Sequence, residues 1–168
     1  MKTFKEFLEE SSLSRIKSKS DKGGMAIISG SRADKSSKEN KARAKQLDRD
    51  IKGKGLPGAT KVSGRWDEKD DDTGKTTKVK ERSHVVTSGK KGKRAFKKAV
   101  KSLGKKYGQD AVLTQTKKTG TVSATRKGGL GKETQGRNFK KIKAGKFKPG
   151  QTSPEGDTQI KKKTFAYK

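Results

Sequence analysis

Apolar positions are sparse along this chain, but they fall into short groups whose spacing separates strand from helix. Met25-Ala26-Ile27-Ile28-Ser29, bounded by Gly23-Gly24 and Gly30, reads as a buried strand. Ser36-Ser37-Lys38-Glu39 has the form of a capping box, and Ala44, Leu47 and Ile51 recur at helical spacing, so a helix is predicted over 36–51. Gly53, Gly55 and Pro57-Gly58 end it. Val62, Gly64 and Trp66 then alternate with Lys61, Ser63 and Arg65, the period of a half-buried strand with Trp66 towards the core. Asp67-Glu68-Lys69-Asp70-Asp71-Asp72-Thr73-Gly74 has the composition of a hairpin loop. It leads to a second strand around 79–87, with Val79, Ser83 and Val85 on one face.

The clearest element follows. Phe96, Ala99, Val100, Leu103 and Tyr107 form one helical stripe that Gly108 can end, and Arg94, Lys97, Lys98, Lys101 and Lys105 occupy the opposite face. Ala111 to Thr114 and Thr121 to Ala124 flank a Lys-Thr-Gly turn as a further hairpin. The predicted order is β-α-β-β-α-β-β. It implies an α+β fold, a small sheet with two helices on one face, of the ferredoxin-like type. Beyond Arg126 the chain is basic and rich in Gly and Lys, and Phe139, Ile142, Phe147 and Ile160 are spaced too widely to define an element. Three parts are therefore expected: residues 1–22 as a peptide and linker, 23–126 as the α+β core, and 127–168 as a basic segment that completes the core with an edge strand at 163–167.

Composition limits what such a fold can do. Leu, Ile, Val and Phe supply 26 of 168 residues, so only a small core is affordable against chain entropy, and only because these residues are clustered. Cysteine is absent and there is one histidine, which excludes disulfides, thiolate chemistry and a multi-histidine metal centre. No apolar run approaches a membrane span, so no membrane partner is expected.

Charge changes the picture most. Forty-six Lys and Arg against 18 Asp and Glu leave +28, which points to a polyanionic partner. Three basic groups are candidates for double-stranded DNA: Arg94, Lys97, Lys98, Lys101 and Lys105 on the helix; Arg137, Lys140, Lys141, Lys143, Lys146 and Lys148 in the tail; and Lys161, Lys162 and Lys163. Lys outnumbers Arg 37 to 9, which favours backbone contact without sequence choice. The acidic stretch 67–72 invites a nuclease reading through a hard cation, but its spacing matches no calcium loop and a solvated hairpin tip accounts for it. His84 has no carboxylate partner nearby in the sequence, and Gly128-Gly129-Leu130-Gly131-Lys132 lacks the spacing of a phosphate loop. No catalytic residue, metal site or cofactor is assigned.

The first ten residues, MKTFKEFLEE, place Phe4, Phe7 and Leu8 on one amphipathic face. This peptide resembles the capsid-targeting peptides of internal head proteins in T-even-like tailed bacteriophages. The resemblance implies docking onto prohead core proteins and trimming by the head-maturation protease. The context Leu8-Glu9-Glu10 gives a cut after Glu10, before Ser11, although Ser11-Ser12 departs from the small Ala residues typical there. On this reading the protein is a non-enzymatic head protein enclosed in the virion interior with DNA. The alternatives are a small nuclease or other host-takeover enzyme delivered by the same route and a cellular nucleic-acid-binding protein.

Overall fold

The computed structural model describes residues 13–19, 21–22, 24–69, 73–116, 118–127, 130, 141–152, 157–160 and 163–168. The apolar run forms strand β1 (Met25–Ser29), buried on both faces. Alternate residues serve different cores, because side chains along a strand point to opposite sides. Ala26 and Ile28 pack with residues of two helices, whereas Met25 and Ile27 pack with residues of other strands.

Helix α1 (Ser37–Gly53) begins at the predicted capping box: the Ser36 hydroxyl accepts from Glu39 N at 3.2 Å, and Ser36 N donates to the Glu39 carboxylate at 2.8 Å. Strands β2 (Thr60–Lys69) and β3 (Thr76–Thr87) pair along all of β2, from Thr60 opposite Val85 to Lys69 opposite Thr76, with Trp66 opposite Val79. Helix α2 (Lys93–Lys106) buries Phe96, Ala99, Val100 and Leu103, while Tyr107 at its C-cap is also buried. The chain then adds β4 (Ala111–Gln115), β5 (Thr119–Ala124), β6 (Lys141–Pro149), β7 (Asp157–Ile160) and β8 (Lys163–Tyr167).

The architecture corrects the predicted one. Instead of an open ferredoxin-like α+β sheet, all eight strands close into an antiparallel barrel, in the order β1-β3-β2-β7-β8-β6-β5-β4 and back to β1. The segment 163–167 is flanked by β7 and β6 on its two sides, so it is an interior member of the ring. Closure leaves no unpaired edge to protect.

The barrel separates two cores. Outside, Leu47 and Ile51 of α1 and the α2 stripe pack on Ala26, Ile28, Val86 and Val112. Inside, Met25, Val62, Val85, Ile160 and Phe165 fill one end of the lumen, with Phe147 and Tyr167 against them. Phe147 meets Phe165 at 4.9 Å between ring centroids and Tyr167 edge-on at 5.8 Å. The helical stretch 13–19 plugs this end with Ile16, which is 3% exposed. Among the described residues no helix is long and apolar enough to cross a membrane.

Candidate functional site

The other end of the lumen is open. A cavity of about 1190 Å³ runs from the inner wall out to the loops after β1 and α2. Strand register explains its lining. Ile27 pairs with Val85 and Ser29 with Ser83, so the inward row of β3 reads Val85, Ser83, Glu81 and Val79 towards the mouth. Glu81 thus carries a carboxylate into the lumen between Ser83 and Val79, opposite Gly64 of β2. From the far side, Leu113 and Val122 supply an apolar surface, and Tyr167 brings in an aromatic ring. The Tyr167 hydroxyl donates to the Gln115 amide oxygen at 2.6 Å. A Cβ on Gly120 would stand 2.7 Å from the Tyr167 ring, so the absent side chain gives the ring its place.

Two loops build the rim and are tied together. Arg32 donates to the Gly108 carbonyl at 2.9 Å, and Gln109 donates to the Ser31 carbonyl at 3.3 Å. Arg43 holds both loops from behind, donating to the carbonyls of Gly30 and Tyr107, each at 2.6 Å. Three ion pairs edge the opening: Arg32 with Asp34 at 2.8 Å, Arg65 with Asp157 at 2.8 Å and Arg126 with Asp110 at 2.6 Å. Ser29 is anchored at the base of the rim, its hydroxyl donating to the Arg82 carbonyl at 2.7 Å.

Of the residues singled out from sequence, Lys143 lines this cavity, and the other described ones lie elsewhere. Arg94, Lys97, Lys98, Lys101 and Lys105 are exposed on the outer face of α2. Lys141, Lys143, Lys146 and Lys148 belong to β6, two strands round the barrel from β4, on which α2 packs, and Lys163 opens β8. The fold therefore does not gather them into one surface. Phe4, Phe7, Leu8, Glu10 and Ser11 lie outside the described residues, as do Arg137, Lys140, Lys161 and Lys162. So do Asp70, Asp71 and Asp72 of the acidic stretch, whose first residues belong to β2.

His84 sits on the outward side of β3, 1% exposed, and finds across the fold the carboxylate its local sequence lacked: Asp48 of α1, 3.2 Å from Nε2. Burial holds its pKa below the usual histidine value, Asp48 opposing and Lys61 adding to the shift. Sequence reasoning missed Glu81. The signal was available, since a charged residue stands between Val79 and Ser83 in the very register assigned to the buried face.

The family model described as the S-adenosylmethionine lyase family matches residues 26–168. Comparison with curated proteins returns no match. Among solved structures, the chain is similar to one described as a phage SAM lyase in complex with S-methyl-5'-thioadenosine. That likeness has 16% identity and a TM-score of 0.40, covering 72% of this chain and 88% of the other. The family match overturns the head-protein reading with its DNA, prohead-core and protease partners. It replaces a non-enzymatic packaging role with an enzyme family and a small sulfonium substrate. The chain belongs to the S-adenosylmethionine lyase family.

Proposed function

We propose that this protein cleaves S-adenosylmethionine at the open end of its barrel, releasing 5'-methylthioadenosine and homoserine lactone. Membership of the lyase family is the observation that carries this reading. A lyase breaks the bond without water, and the substrate holds its own nucleophile. Its carboxylate oxygen attacks Cγ of the same methionyl chain, closing a five-membered ring. The Cγ–S bond breaks, its electron pair stays on sulfur, and the sulfonium becomes a neutral thioether. Charge and atoms balance and no proton moves, so the reaction needs neither a general acid nor a general base.

What the reaction does need is orientation and a dry site. Carboxylate and sulfonium charges cancel as the ring closes, so the transition state is less polar than the ground state and is favoured where water is excluded. Ile27, Leu113 and Val122 give the cavity such a wall. Glu81 fits best as the partner of the substrate ammonium. That charge does not change during the reaction, whereas a carboxylate against the sulfonium would stabilise the ground state more than the transition state. Holding the ammonium in place aims the adjacent carboxylate at Cγ, the kind of positioning that supplies large rate factors in ring closure.

Product analysis in ¹⁸O-labelled water tests this. Methylthioadenosine should appear with homoserine lactone. Homoserine formed later by hydrolysis should carry label in its carboxyl group, because water attacks the lactone carbonyl. Label in the γ-hydroxyl would mean direct hydrolysis, and vinylglycine would mean proton abstraction; either result rejects the mechanism.

A further inference from the structure

On the outer face of β2 and β3, behind the wall that carries Glu81, α1 overhangs a separate groove of about 410 Å³. Its floor follows from register. His84 pairs with Lys61, and Ser63 pairs with Arg82 on one side and Gln159 on the other, so imidazole, hydroxyl and amide lie side by side on one outward patch. Lys41 and Lys45 of α1 flank it from above, and Lys61, Lys80 and Arg82 rise from the strands. Against these five cations stands Asp48, already 3.3 Å from the Lys61 ammonium.

His84 distinguishes this groove from an ordinary basic surface. Its ring is buried, yet neither nitrogen makes a hydrogen bond among the described residues, since Asp48 Oδ1, though 3.2 Å from Nε2, is not aligned to accept one. A buried polar atom left unsatisfied is costly, and folded proteins keep few of them. An imidazole in the floor of a groove ringed by ammonium and guanidinium groups is satisfied by a ligand that brings anionic oxygen.

We propose that the groove is a binding site for a multiply charged phosphoryl anion, with His84 donating to it and Lys41, Lys45, Lys80 and Arg82 neutralising it. More than one uncompensated cation calls for a ligand carrying more than one negative charge, and tetrahedral phosphoryl oxygens can meet floor and rim at once. Ala44 adds an apolar surface, and the volume lies in the range of small-molecule sites. The inference is independent of the lyase reading, because no group assigned there takes part.

The chain has a single histidine, so its ring-proton resonances in the full-length protein belong to His84 alone. Titration with inorganic pyrophosphate at constant neutral pH should move those resonances saturably. The double variant Lys41→Ala/Lys45→Ala should weaken the apparent affinity on the order of tenfold or more, since two exposed charge-assisted contacts are lost at once. A charge-matched control on α2, Lys97→Ala/Lys101→Ala, should change it less than about twofold, as a remote screened charge does. Comparing ADP with pyrophosphate separates the sources: equal affinity assigns recognition to the phosphoryl groups alone, and tighter ADP binding adds a nucleoside contact with the apolar surface. The proposal is overturned if the His84 resonances stay fixed at saturating pyrophosphate, or if the α2 control weakens binding as much as the α1 pair.

Discussion

The two sides of β1 and β3 differ more than two faces of one sheet usually do. Outside, α1 and α2 cover the strands with aliphatic and aromatic side chains, and one polar cluster locks the helices: Tyr107 donates to Asp50 at 2.6 Å, and Lys106 pairs with the same carboxylate at 2.7 Å. Inside, the same strands are apolar only at the plugged end and become polar towards the mouth, where Glu81, Ser83 and Ser29 face a cavity. Beneath the two helices the outer face is finished by packing. The inner face is left unfilled, and an unfilled, partly polar space is what a small-molecule enzyme requires.

This contrast is tested first by truncating one large side chain on each side. Phe165→Ala removes a ring with 0% exposure from the lumen and should cost roughly 3–5 kcal/mol. Leu103→Ala, 1% exposed beneath α2, should cost roughly 2–5 kcal/mol. Denaturant titration gives both values. Turnover per folded molecule separates them, since Phe165 packs on Phe147, which in turn meets Tyr167 of the cavity wall, whereas Leu103 lies outside the barrel. If Leu103→Ala alone impaired turnover of the folded fraction, the assignment of the two sides would be reversed.

A smaller effect is expected at the helix lock. Lys106, then Tyr107, hold the Asp50 carboxyl below its ordinary value of 3.8, and burial together with that hydrogen bond raises the Tyr107 phenol well above its own. A carboxyl depressed on folding contributes stability that is present above its unfolded pKa and lost as pH falls through the folded one. Tyr107→Phe should therefore cost about 1 kcal/mol at neutral pH, and less once Asp50 is protonated. An equal cost at both pH values would show that the pair is not coupled. His84 acts on a different window. Its pKa is depressed below 6.5 by burial, so the unfolded chain takes up its proton first and stability falls as pH drops below about 6.5. His84→Gln should flatten this slope in melts across that range. The least effect belongs to Lys101→Ala on the exposed face of α2, within about 0.5 kcal/mol of wild type.

Where apolar residues were dense, the sequence was readable. The α1 capping box, the α2 stripe and the β1 run lie at or close to their predicted places because each element carries its own periodic signal. Barrel closure was hidden for a physical reason. In β6, Lys141, Lys143 and Lys146 are exposed, but the register shift opposite Gly120 and Thr121 inserts an extra residue and breaks the period of two halfway along. β7 has four residues and β8 five, too short for a pattern to stand out, and what joins them into a ring is long-range pairing. The net charge of +28 misled more seriously. Spread round a barrel, lysines on outward positions hydrate the strands, and their sum does not by itself name a polyanionic partner. The site itself was legible in one residue, Glu81, whose charge interrupts the inward row of β3.

That residue carries the most direct measurement. Glu81→Gln preserves size and keeps one acceptor oxygen while removing the charge assigned to the substrate ammonium. Steady-state cleavage of S-adenosylmethionine by wild type and variant, compared at matched thermal midpoints, should show kcat/KM falling on the order of a hundredfold, the scale expected when a substrate is no longer held for ring closure. Unchanged kcat/KM in a folded Glu81→Gln protein would contradict the account and move the chemistry out of the lumen.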